Sequence, residues 1–165
     1  MNKLRFKGHF VVEHCRDGKV LATKHIDNAV VDVGINAILD TYFNSATPVA
    51  TWYLGLINDA VVADLVAADT IASHAGWTED QNYAEAVRQT WTVGAAAAKV
   101  VTNAAYVVFS INASTTISGL FCVSDSAKGG TAGTLWATGL FTNGDVVATS
   151  GDTLNVTYTV TGAAA

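Results

Sequence analysis

The stretch richest in groups that could do chemistry is Asp69-Thr70-Ile71-Ala72-Ser73-His74-Ala75-Gly76-Trp77-Thr78-Glu79-Asp80, which gathers three carboxylates, an imidazole and an indole. An enzyme would use His74 with Asp69 or Glu79 as an acid–base pair. A calcium site would use the carboxylates, but the regular DxDxDG spacing is missing. The favoured reading is an ordered loop anchored by Trp77 and Tyr83, since long ordered loops on sandwiches make contacts. Asp69, His74, Trp77 and Glu79 are then its contact residues.

A second concentration lies nearer the start, where His9, His14, Cys15 and His25 fall within one expected hairpin. A metal needs three or four ligands converging on one face. Alternation puts His14 and Cys15 on opposite faces and sets His9 against Ile26, so neither a metal site nor a cofactor is expected. No GxSxG elbow occurs. Gly129, Gly130 and Gly133 lack the GK[ST] ending of a phosphate loop and read as turn glycines. Cys15 and Cys122 have no CxxC spacing and read as two buried thiols. No catalytic residue is assigned.

Charge is distributed unevenly. Lys3, Arg5, Lys7, Arg16, Lys19 and Lys24 are six of the nine basic residues. The first 24 positions therefore carry a net +4 and the rest a net −9. The sequence pI is about 5.1, which argues against a nucleic-acid partner. A basic hairpin on an acidic body suits docking on an acidic protein surface, where complementary charge orients the partners. These six residues are the candidate docking set.

The elements that must carry these residues follow from periodicity. Residues 4–15 alternate, with Leu4, Phe6, Phe10, Val12 and His14 on one face and Arg5, Lys7, His9, Val11 and Glu13 on the other. Asp17-Gly18 supplies a tight turn, so residues 4–26 read as a hairpin. A two-residue turn sets Phe10 against His25, Val12 against Thr23 and His14 against Leu21, and puts Lys7, Val11 and Lys24 on the outer face. Residues 32–43 change period. Ile35, Ile38, Leu39 and Tyr42 form one helical stripe expected to lie on a sheet, with Asp32 as N-cap and Pro48 beyond the end. Strands are expected at 51–57, 88–93, 105–112, 116–124, 134–142 and 153–161, the last with Asn155, Thr157, Thr159 and Thr161 outward. Residues 58–87 are the least sheet-like, with a helical turn or two conceivable over 59–68.

Eight or nine such strands separated by Lys128-Gly129-Gly130, Asn143-Gly144-Asp145 and Ser150-Gly151-Asp152 read as an all-β, antiparallel β-sandwich, a jelly roll being one form of it, with one short helix. There is no repeat or linker, so residues 1–165 read as one domain. No apolar run resembles a signal peptide or a membrane span, so a cytoplasmic site of synthesis is expected. Only 14% of residues are charged, and the Thr-, Ala- and Gly-rich remainder suits close packing against neighbours.

Several of these segments together resemble a pattern found in small structural proteins of tailed bacteriophages. They are Trp52-Tyr53-Leu54-Gly55-Leu56-Ile57, Ala68-Asp69-Thr70, His74-Ala75-Gly76-Trp77-Thr78-Glu79, Tyr83 and Arg88. Thr116-Ile117-Ser118-Gly119-Leu120-Phe121, Lys128-Gly129-Gly130-Thr131-Ala132-Gly133-Thr134-Leu135 and Ser150-Gly151-Asp152-Thr153-Leu154 continue it, so the likeness spans roughly residues 28–161. The resemblance implies a non-enzymatic cement or decoration protein of the virion. Such a protein is bound outside the major capsid shell as a homo-trimer or homo-dimer and assembled in the host cytoplasm. Tail and fibre proteins share the style and give the alternative. The resemblance brings no catalytic residues and no cofactor.

Overall fold

The structure is a computed structural model that describes residues 4–164; Lys3 of the candidate docking set lies outside them. Strands β1 (Leu4–Arg16) and β2 (Lys19–Val30) form the expected hairpin, and helix α1 (Asp32–Phe43) follows directly. The chain continues through β3 (Tyr53–Val62), β4 (Trp77–Asp80), β5 (Gln89–Thr90) and β6 (Val100–Thr102). It finishes with β7 (Val107–Ser110), β8 (Thr115–Val123), β9 (Leu135–Leu140), β10 (Val146–Ala148) and β11 (Thr153–Ala164).

These strands make two antiparallel sheets packed on each other, an all-β sandwich. One sheet runs β2-β1-β11, with β6 and β7 sharing the far edge of β11. The other runs β4-β3-β8-β9, with β5 beside β3 and β10 beside β8. Strand β2 belongs to both: its body pairs with β1, and Ala29 and Val30 pair with Thr138 and Ala137 of β9.

The hairpin turn has the positive φ angles of a type I′ turn at Asp17 and Gly18, 50° and 73°. Near it the register is the expected one, with Cys15 opposite Val20 and Arg16 opposite Lys19. A bulge then inserts Leu21 and shifts every later pair by one. Phe10 meets Ile26, Val12 meets Lys24 and His14 meets Ala22, and His9 meets Asp27 instead of Ile26. One extra residue turns each following side chain to the other face. Lys24 therefore leaves the outer face and His25 joins it.

The main core lies between the sheets and includes Phe10, Val12, Ile26, Leu54, Leu56, Phe109, Leu120, Leu154, Val156 and Tyr158. A second core of Val31, Ile57, Ile71, Trp77, Phe121, Val123 and Leu135 lies on the opposite side of β3 and β8, under α1 and the segment that precedes β4. Burial on both faces explains why Leu54–Ile57 is continuously apolar. Gly55 is required there: a Cβ at this position would stand 2.2 Å from the Phe121 ring. The conceivable helix over 59–68 does not form; β3 runs on to Val62, and β4, β6 and β10 are short strands that periodicity does not single out.

Helix α1 has the expected span but a different orientation. Val31, not Asp32, is the N-cap residue, without a side-chain cap bond. The helix approaches β9 closely at Gly34. A Cβ on Gly34 would lie 2.7 Å from the Trp136 carbonyl oxygen, so the backbones approach closely only because that Cβ is missing. Most of the stripe expected to face the sheet turns outward, with Ile35 38%, Leu39 48% and Tyr42 78% exposed, and only Ile38 of the four predicted positions packs on the core. Among the described residues no helix is long and apolar enough to cross a membrane.

Candidate functional site

The five candidate docking residues that the structure describes do not all face outward. Arg16 donates to Asp152 through Nε to Oδ1 at 2.7 Å and Nη2 to Oδ2 at 2.9 Å, and to Thr149 Oγ1 at 3.0 Å. His14 Nε2 and the Thr149 N–H also meet Asp152 Oδ2, at 2.7 and 2.9 Å. Asp152 ends the Thr149–Asp152 turn predicted by Ser150-Gly151-Asp152. The hydrogen bonds from Arg16, helped by Thr149 and His14, hold its carboxyl well below the usual carboxylate range, against the opposing effect of burial. Arg16 is thus a fastener between the hairpin and the start of β11. Lys24, moved inward by the bulge, donates to the Asn143 carbonyl at 2.7 Å. Arg5, Lys7 and Lys19 remain exposed.

Arg5 and Lys7 stand on an outer sheet face that is otherwise mostly neutral. Pairing of β1 with β11 sets Lys7 beside Thr161, His9 beside Thr159, Val11 beside Thr157 and Glu13 beside Asn155. The shifted register also makes a chain that alternation did not anticipate: His9 Nδ1 lies 2.8 Å from Asp27 Oδ1, and His9 Nε2 lies 3.2 Å from His25 Nδ1. Among the described residues no group of three or more His, Cys, Asp or Glu side chains could hold a metal ion.

The chemistry-bearing side chains of the 69–80 segment make internal contacts. Trp77 is buried in the second core, and its Nε1–H donates to Asp69 Oδ2 at 3.3 Å. The His74 ring stacks on Trp77 with centroids 3.8 Å apart, and His74 Nδ1 bonds the Trp77 carbonyl at 2.9 Å. Glu79 takes both arms of buried Arg88, Nε to Oε1 at 2.9 Å and Nη2 to Oε2 at 2.8 Å. Arg88 further donates to the Asp125 and Gly130 carbonyls, and the Gly129 N–H donates to Glu79. Buried Asp80 accepts from Asn58, the Asn82 N–H and Thr115. Lys128 bonds the Tyr83 carbonyl at 2.8 Å with its ammonium 3.9 Å from the Tyr83 ring centroid. The segment is a stack of internal fasteners that binds the long excursion before β5 to the sandwich.

A marked concavity lies elsewhere. An open groove of about 770 Å³ runs between β1, α1 and the β6 end of the sheet. Phe6, Ile38, Tyr42, Trp52, Trp91 and Trp136 line it, and Lys99 is its one charged residue among the described residues. Trp136 packs edge-on to Phe6 at 5.9 Å and lies 6.1 Å from Trp52. The N–H groups of two of its indoles are used internally: Trp91 Nε1 donates to Asn103 Oδ1 and the Tyr158 carbonyl, and Trp136 Nε1 to Tyr158 Oη. The groove's walls therefore offer mainly ring surface and aliphatic carbon. None of Asp69, His74, Glu79 or Asp80 reaches it.

Charge counting and alternation singled out the hairpin and the 69–80 loop but not this groove. Its residues come from six separate stretches of the chain. The usable signal was the apolar helical stripe together with three tryptophans at 52, 91 and 136. No known protein family matches the chain, and no curated protein is found to be similar to it.

Proposed function

We propose that the chain is a structural subunit of a tailed-bacteriophage virion, a cement or decoration protein that binds outside the major capsid shell and strengthens it without catalysis. The observation that carries this reading is the outward apolar stripe of α1 beside an open aromatic groove. Contiguous apolar surface rimmed by polar residues marks a contact surface. The resemblance of residues 28–161 to phage structural proteins supplies the setting, and the internal fasteners supply a rigid body suited to it.

In this mechanism Arg5, Lys7 and Lys19, with Lys3, face acidic patches of the shell and orient the subunit. Each exposed ion pair contributes only about 0–1 kcal/mol. Apolar contact and repetition by symmetry carry most of the affinity, through avidity. A fibre or receptor-binding role is the second reading, favoured by the Trp91 and Trp136 groove. The inward-turned indole N–H groups leave that groove poor in donors for a sugar, so the assembly reading stands first.

The test is a map of the chain's place in purified particles, joined to salt-dependent release. Location on the outer shell with release promoted by salt is the expected result. Undiminished shell occupancy after Arg5→Glu, Lys7→Glu and Lys19→Glu together refutes the hairpin mechanism. Location on a fibre tip refutes the cement role.

A further inference from the structure

The structure assigns the α1 stripe and the aromatic groove to a second copy of this chain, paired about a two-fold axis with the two α1 helices antiparallel. The inference rests on the assembly reading for its setting and names the occupant of that reading's contact surface.

The first argument is self-complementarity. At 100° per residue, Asp32, Ile35, Leu39, Tyr42 and Phe43 fall within one stripe about 100° wide. Ile35, Leu39, Tyr42 and Phe43 are exposed apolar side chains, and Tyr42 also lines the groove. Convex apolar side chains and a concave apolar trough therefore adjoin on one surface. A two-fold operation sets the protruding Leu39 and Phe43 of each copy against the trough edge of the other. The same patch then serves both partners, as a closed dimer requires.

The second argument is charge. Among the described residues Lys99 is the only charged one lining the groove, and it makes no ion pair with any of them. Lys99 and Tyr42, from the last turn of α1, line the same groove. In an antiparallel pair that end meets the first turn of the partner helix, where exposed Asp32 sits on the same stripe as Leu39. Lys99 then answers the partner's Asp32 at both ends of the interface, and the helix dipoles oppose each other favourably. A parallel arrangement brings Asp32 to Asp32 and leaves both lysines without a counter-charge.

The third argument is how Lys99 is held. Ala98 and Lys99 form a two-residue turn with φ of 51° and 65°, closed by bonds of 3.0 and 2.9 Å between Ala97 and Val100. Neither residue is glycine, so the left-handed backbone costs of order 1 kcal/mol at each. The Gly162 N–H bonds the Lys99 carbonyl at 2.9 Å and fixes the turn to β11. A lysine placed by a strained, anchored turn is positioned, not merely solvated.

Sedimentation of the full chain between roughly 5 and 300 μM tests this, since a helix-pair interface is at the small end of specific contacts. The expected result is a monomer–dimer equilibrium. Leu39→Asp and Phe43→Asp, both at exposed positions, each weaken it at least about tenfold without lowering the denaturation midpoint of the monomer. Lys99→Asp alone weakens pairing, and Lys99→Asp with Asp32→Lys restores it, a rescue that unspecific stickiness does not give. A chain monomeric throughout, a trimer, a dimer indifferent to Leu39→Asp, or no rescue overturns the inference. So does a monomer whose tryptophan emission saturates with added oleate, which makes a small amphiphile the occupant. A dimer absent from virions sinks the cement role and leaves the pairing intact, whereas a monomer seated on the shell does the reverse.

Discussion

Replacing Asp152 with asparagine isolates the fastener that ties the hairpin to β11. The carboxylate is 1% exposed and accepts from Arg16, His14 and the Thr149 N–H, whereas the Arg16 side chain is 44% exposed. Breaking a fully buried ion pair costs about 3–5 kcal/mol. Here Arg16 regains water, so only the buried partners of the lost charge are left poorly satisfied, and the expected loss is about 2–3 kcal/mol. For a chain of this size that is a fall in Tm of roughly 5–10 °C. The sign of the pH dependence follows from the depressed folded-state pKa of Asp152. The unfolded chain takes up a proton as pH falls through about 4 while the folded chain does not, so the stabilisation is complete above that pH and is lost on acidification. Urea unfolding of wild type and Asp152→Asn should give curves whose separation is constant from neutral pH down to about 5. Below about pH 4 it should narrow by up to about 1.4 kcal/mol per pH unit. A separation under about 0.5 kcal/mol at pH 7, or one unchanged down to pH 2.5, refutes the assignment of this network as a structural clamp.

Two further substitutions probe the 69–80 segment. Arg88→Met strands the buried Glu79 carboxylate and should cost about 3–5 kcal/mol, with Glu79→Met in addition recovering part of the loss; a double-mutant cycle by urea unfolding reads the coupling, and additivity would contradict a shared network. Tyr83→Phe removes a buried hydroxyl that has no hydrogen-bond partner among the described residues, so it should be neutral or stabilising by up to about 1 kcal/mol, and a loss above about 1.5 kcal/mol would disprove that.

Much of the architecture was legible in the residues. Alternation in 4–15 and 153–161 located β1 and most of β11, though not their pairing, and the switch to a helical period located α1. What alternation could not show was Leu21. A single extra residue near the turn exchanged the faces of Lys24 and His25, and no local propensity marks it. The stripe of α1 was visible too, but periodicity identifies an apolar face without naming what covers it. The decision lay with Gly34, whose missing side chain lets the other face sit on Trp136. The loop residues Asp69, His74, Trp77 and Glu79 stood out in the sequence by their chemistry, as candidates for contacts with a partner, but the bonds they make in the fold are internal. Their work is inward because Arg88, on the next stretch of chain, supplies the counter-charge and Phe121, distant in sequence, supplies the ring that draws them in.

The passage of β2 from one sheet into the other has a consequence for how the molecule comes apart. Neither layer can swing away while that strand keeps its bonds on both sides, so the two halves share one fate under heat or denaturant. Backbone amides in β1, β8 and β11 should then exchange with solvent deuterium only through the same global opening, at one common free energy. The two- and three-residue strips β5, β6 and β10 can fray on their own, and their protons should leave first.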